Sequence, residues 1–187
     1  MHSKENGTRA PQAVNSGAAD ERGLIKFLLV SVTSFFIGTV HGVLQIQPPI
    51  RAWLDSIGSP YGGPGHMIDP LAHAHINVVG GVVLLCMAVT YYLLPRISGK
   101  PLFSRRLVEH TFWWTTLGIG GFYTTLMVFG YIEGELLLQG DTVGMEEVHQ
   151  VYTPIIAVVA TVMGIGFWIF FANVFMTART IFSRKSP

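Results

Sequence analysis

Four long apolar runs, separated by short polar stretches, account for most of this chain: roughly residues 24–46, 70–94, 107–132 and 145–178. A helix needs ~20 residues to cross about 30 Å of hydrocarbon, so each run predicts a transmembrane helix. The expected fold is all-α, an integral membrane four-helix bundle. Its membrane domain is expected over residues 23–180, between a polar, disordered cytoplasmic tail at 1–22 and a short cytoplasmic tail at 181–187. The first run is too long for a signal-peptide core and lacks a small-x-small cleavage site, so it is expected to be retained. Pro48-Pro49 ends that helix, and the Gly/Pro-dense stretch from Ser59 to His66 predicts turns rather than a fifth span. A short interfacial helix is expected around Ile50 to Ile57, with Trp53 at headgroup level. Tyr91-Tyr92-Leu93-Leu94-Pro95 predicts an aromatic belt followed by a helix stop.

Composition agrees with that pattern. Half of the 187 residues are hydrophobic and 12% are charged, about half the charge of a soluble domain, and the mean hydropathy is +0.46. The solvent for most of the chain is lipid, which leaves no room for a separate soluble domain. The single cysteine, Cys86, lies mid-span, which excludes a disulfide framework, a Cys-x-x-Cys pair and covalent haem attachment. No phosphate loop, nucleophile motif or zinc signature is present, and nothing points to nucleic acid. Lys4, Arg9, Arg22 and Lys26 flank the first run; Arg96, Lys100, Arg105 and Arg106 fill the central link; Arg179, Arg184 and Lys185 end the chain. By the positive-inside rule both termini and the central link are cytoplasmic, as expected of a multi-pass protein in a prokaryotic plasma (inner) membrane. The outer loops hold Arg51 against Asp55, Asp69, Glu133, Glu135, Asp141, Glu146 and Glu147. Such an acidic face could steer a basic soluble carrier such as a cytochrome c.

Topology also sorts the seven histidines. The run Asp69-Pro70-Leu71-Ala72-His73-Ala74-His75-Ile76-Asn77 leads directly into Val78-Val79-Gly80-Gly81, so two imidazoles enter the first turns of the second span. An ionisable side chain at that depth is costly and marks a functional site. At ~1.5 Å of rise per residue, His41 lies about 6 Å before the outer end of span one, and His73 and His75 about 5 to 8 Å inside span two. His149 is about as deep in span four, so three helices deliver imidazole to one layer. His66 belongs to a solvated loop, His2 to the tail, and His110 to the cytoplasmic end of span three, where it is expected to cap or to pair with Glu109.

A six-coordinate b-type haem requires two neutral imidazoles as axial ligands, and four-helix bundles build such sites from facing side chains. His73 and His75 point about 200° apart around one helix, so one can face an iron while the other turns to headgroups, a propionate or a second site. The candidates are therefore His75 as a haem-iron ligand, His41 or His149 as the second ligand, and His73 as a further cofactor-binding residue. Three imidazoles would also suit copper or zinc. The close-packing glycines Gly118, Gly120 and Gly121 and the neighbouring aromatic residues favour a large flat ligand, haem b, with copper as the alternative.

His75-Ile76-Asn77-Val78 through Tyr91-Tyr92-Leu93-Leu94-Pro95 resembles the second helix of the haem-copper oxidase catalytic subunit, in particular the nitric oxide reductase branch. Gly38-Thr39-Val40-His41-Gly42-Val43-Leu44-Gln45 is similar to the end of that family's first helix, Phe112-Trp113-Trp114 to the opening of its third, and Phe170-Phe171-Ala172-Asn173 with Thr177 to the end of its fourth. The resemblance covers the membrane part of this chain and the first four helices of the family's twelve. It implies that His75 is a low-spin haem ligand. In that family the opposite ligand and the ligands of the reducing metal centre come from later helices, so the resemblance does not imply a complete oxidase or reductase. The second ligand is then expected from His41, His149 or another subunit, which implies a homodimer or membership of a larger redox complex.

The resulting expectation is an electron-transfer protein that holds b-type haem and relays electrons between quinol or a soluble carrier and a partner redox complex. One alternative is a quinol-oxidising subunit of a larger oxidoreductase, with Glu109 and His110 handling protons. Another is a haem-free or copper/zinc-binding scaffold or assembly protein that uses His41, His75 and His149.

Overall fold

The computed structural model describes the backbone of residues 15–183 and the side chains of residues 23–183. Five helices follow one another: α1 (Asn15–Gln45), α2 (Pro48–Ser56), α3 (Gly63–Ser98), α4 (Arg105–Leu138) and α5 (Thr142–Phe182). No strand occurs among the described residues. Of the tails expected at 1–22 and 181–187, residues 1–14 and 184–187 lie outside the described residues.

Among the described residues three helices are long and apolar enough to cross a membrane: α1 over Gly23–Gln45, α3 and α5. The chain is thus a multi-pass membrane protein. α4 is 34 residues long, about 50 Å at 1.5 Å per residue. It carries no charge between Thr111 and Ile132, but its threonines, glycines and tyrosines make it less apolar than the other three.

All four long helices contribute to one buried cluster toward the α3–α4 link. There Phe27 of α1 lies edge-on to Phe112 of α4 at 5.0 Å between ring centroids, and Tyr91 of α3 lies edge-on to Phe170 of α5 at 5.3 Å. Leu84, Met87 and Val108 complete this buried cluster. Tyr91 faces the bundle interior: it is 1% exposed and its hydroxyl shares a 2.8 Å hydrogen bond with Thr111. α3 continues through Pro95 to Ser98 and stops at Gly99, where φ is 65°. The expected stop at Pro95 falls a turn early. Proline within a last turn forfeits one backbone bond but leaves the preceding turns intact.

α4 and α5 form the most extensive pair. Small residues allow it: a Cβ on Gly118 would overlap the backbone of Met163, and one on Gly166 would sit 2.7 Å from the Thr115 nitrogen. The small-residue run of α4 thus serves helix packing.

The link Gly99–Ser104 is held by two residues of α5. Asn173, fully buried, accepts from the Ser104 amide and donates to the Ser104 carbonyl, both at 3.0 Å, and Thr177 accepts from the Phe103 amide at 2.9 Å. Asn173→Ala leaves two backbone groups without partners. At ~1–3 kcal/mol each, the expected cost is about 2–6 kcal/mol, read as a lower melting temperature in detergent; an unchanged melting temperature would show that the clamp contributes nothing.

The predicted interfacial helix is present as α2. Its Trp53 indole donates to Glu135 of α4 at 3.0 Å, and Leu54 and Ile57 are buried with Ile68.

Candidate functional site

The α3 backbone is irregular where the histidines lie. Asp69 has extended geometry, φ −130° and ψ 113°, which kinks the helix. Arg51 of α2 fixes this kink by pairing with Asp69 at 2.6 Å and donating to Ser59 at 2.8 Å, while Ser59 donates to the Asp69 carbonyl at 3.0 Å. The carboxylates of Asp55 and Asp69 hold the Arg51 pKa above its ordinary value, the Asp55 hydrogen bond first. Beyond the kink, a single α-helical turn, His73–His75, runs into a π-helical segment at Ile76–Val83. Segments of this kind are rare and concentrate at functional sites. The freed polar groups find side-chain partners: Asn77 donates to the His73 carbonyl at 2.9 Å and Ser31 of α1 to the Gly81 carbonyl at 2.8 Å. Gly80 and Gly81 let Ser34 and Phe35 of α1 approach.

The candidate histidines separate into three environments. His75, half-buried, faces α4, its ring 4.6 Å from that of Phe122. Its Nδ1 lies 2.8 Å from the Leu71 carbonyl. Since a carbonyl only accepts, Nδ1 carries the proton and the lone pair is on Nε2, the tautomer and second-shell contact of a metal-ligating imidazole. His73 turns the other way, toward α1, as the spacing of two predicts. Its ring centroid is 5.4 Å from that of His41 and its Nδ1 is 3.2 Å from Gln45. His41 is 8% exposed; its Nδ1 is 3.3 Å from the Tyr123 hydroxyl of α4, and its Nε2 is buried without a hydrogen-bond partner. His149 of α5 is occupied by Glu133 of α4, at 3.1 and 3.2 Å from the two carboxylate oxygens.

The expected single layer of imidazoles is therefore not one site. His41 and His73 are brought together, while neither His41 nor His149 is in ring contact with His75. Among the described residues no three His, Cys, Asp or Glu side chains could hold one metal ion. The copper or zinc cluster expected from His41, His75 and His149 does not form, because equal depth in the membrane does not bring side chains to one side of one helix. His66, expected in a solvated loop, lies in the first turn of α3 and is partly buried, 2.5 Å from the Pro60 carbonyl, because the helix begins at Gly63. Glu109, the expected partner of His110, instead pairs with Lys26 of α1, whose ammonium stands 4.6 Å from the Phe112 ring centroid.

Between α1 and α4 an open groove of about 220 Å³ is lined by Phe36, Ile37, Val40, Leu44, Met127, Tyr123 and His41. Tyr123, Gln45, Phe122 and Glu133 were not signalled by the sequence reading. Each is an ordinary residue of an apolar or terminal stretch, and only packing between helices, α1 on α3 for Gln45 and α4 on α1, α3 and α5 for the others, gives it a histidine to touch.

Comparison with known proteins places these residues within a described sequence family, "Cytochrome C and Quinol oxidase polypeptide I", whose description matches residues 14–153. Cytochrome c oxidase subunit 1 of Rhodobacter capsulatus is 30% identical over 117 residues, which cover 54% of this chain and 22% of that protein. The Cbb3-type cytochrome c oxidase subunit CcoN1 of Stutzerimonas stutzeri is 23% identical over 113 residues, 59% of this chain and again 22% of the relative. The chain thus spans about a fifth of the length of the curated relatives it matches.

Proposed function

Because the chain belongs to the haem-copper oxidase subunit I family, we propose that it is a haem-binding electron-transfer subunit in which His75 Nε2 is an axial ligand to the iron of a b-type haem. The observation that carries this reading is the Nδ1–H bond of His75 to the Leu71 carbonyl. It orients the ring, fixes the lone pair on Nε2, and does so without a second charged group in the membrane. The flat face of Phe122 beside the imidazole suits a planar macrocycle, and such a haem would supply a one-electron carrier. His41 and His149 make other contacts, so the opposite ligand falls to another subunit of a redox complex or to a second copy of this chain.

In this reading α4 is a fourth span. The basic α3–α4 link and both termini face the cytoplasm of a prokaryotic cell, and His75 lies near the outer face. Electrons enter from quinol or from a basic soluble carrier attracted by the acidic outer loops, and leave to the partner complex. The chain's own part is to hold and orient the carrier; six-coordinate iron leaves no open position for a substrate.

The protein purified from haem-replete cells is expected to give a b-type pyridine haemochrome, and its haem to be reduced on addition of a quinol or a reduced soluble cytochrome. A covalently attached haem, or haem that neither donor reduces, would contradict the reading.

A further inference from the structure

We propose that His41 and His73 form a second site, separate from His75, that binds one cuprous ion. His41 is more than nine-tenths buried, and its Nε2 has no partner. A buried polar nitrogen without a partner calls for an absent ligand. The neighbouring imidazole of His73 is 5.4 Å away between centroids, tilted by 56°. In each ring the other nitrogen already has a contact that orients it: Tyr123 at His41 Nδ1 and Gln45 at His73 Nδ1. This is the second-shell pattern of metal-ligating histidines.

The tautomers agree. When His41 Nδ1–H donates to the Tyr123 oxygen, the lone pair of His41 lies on Nε2. The Gln45 amide stands with its nitrogen toward His73 and its oxygen buried without a partner; with the two ends exchanged, which hydrogen-bond logic leaves open, its oxygen accepts from His73 Nδ1–H and His73 Nε2 becomes the free donor. Gly42 makes room, because a Cβ there would stand 2.9 Å from His73 Nε2.

The donor set selects the ion. Among the described residues no third His, Cys, Asp or Glu joins the pair. A divalent cation would be under-coordinated and its charge uncompensated in a membrane interior. Monovalent copper is satisfied by two imidazoles. Two neutral imidazoles each donate one lone pair, and no proton is released.

The test is anaerobic titration of the full-length protein in detergent with Cu(I), against a chromophoric cuprous chelator. Wild type is expected to hold one Cu(I) per chain, with an absorption edge characteristic of nitrogen-ligated Cu(I). His41→Gln and His73→Gln are each expected to weaken binding by about 100-fold or more, with melting temperature and haem content retained. His75→Ala is expected to leave the copper affinity unchanged, so loss of haem there and loss of copper at the pair are separate results. Absence of Cu(I) uptake by haem-loaded wild type, or uptake that survives both glutamine variants, would overturn the proposal. Loss of haem together with copper in His41→Gln would also overturn it, by making His41 a haem ligand.

Discussion

His75→Ala is expected to weaken haem binding by at least about 100-fold, since it removes an iron ligand where loss of an outer-shell partner alone costs about 10–100-fold. Purified from haem-replete cells, the variant should be nearly colourless while keeping its helical content and melting temperature. The His75 ring is half-buried and its hydrogen bond goes to its own helix, so its removal takes no cross-helix bond from the fold. The stricter form is His75→Gly, with imidazole supplied in solution. The small molecule can occupy the vacated space and restore the spectrum, which a merely structural role of His75 would not allow. His73→Ala should retain haem, because that ring faces α1. If His73→Ala loses haem and His75→Ala retains it, the ligand has been assigned to the wrong side of α3.

The second large effect is structural. Gly118→Val and Gly166→Val are each expected to cost about 3 kcal/mol or more, at or beyond the upper end of overpacking penalties. The added Cβ meets backbone atoms of the facing helix, Met163 at Gly118 and Thr115 at Gly166, where the Thr115 hydroxyl is also in the way. Relief requires α4 and α5 to separate along their length, and the Phe129–Tyr152 contact at 5.5 Å and the Asn173 clamp separate with them. Gly120→Ala and Gly164→Ala are the controls. Nothing lies within 4 Å of a Cβ at either position, so alanine should be neutral or slightly stabilising through its higher helix propensity. Thermal unfolding in detergent reads both pairs. Equal losses for all four would show that glycine matters at these positions for backbone reasons and not for packing.

Much of this fold could be read from the residue pattern, and the limits have physical causes. The long helices, the break at Pro48-Pro49 and the amphipathic α2 follow from apolar run length and proline chemistry, which act locally. The opposed directions of His73 and His75 follow from helix geometry and are observed. What pattern could not supply is which side of a helix meets which neighbour. Depth placed His41, His75 and His149 in one layer, yet the first joins His73 and Tyr123 and the last joins Glu133. The π-helical stretch Ile76–Val83 and the kink at Asp69 were equally hidden, because the residues that meet them, Ser34 and Phe35 of α1 and Arg51 of α2, lie on other helices. Asn173 and Thr177 could be read as family-like residues, but their hold on the α3–α4 link appears only when the chain folds back on itself.

The central claim, that this subunit carries haem at His75, is tested most directly by a reduced-minus-oxidised absorption spectrum of the purified protein with haem quantified per chain. The account predicts a sharp b-type α-band and the low-spin spectrum of two imidazole ligands, with one haem per chain or per pair of chains. A flat difference spectrum from protein made in haem-replete cells and isolated with its partners, or a high-spin spectrum without the sharp band, would contradict it.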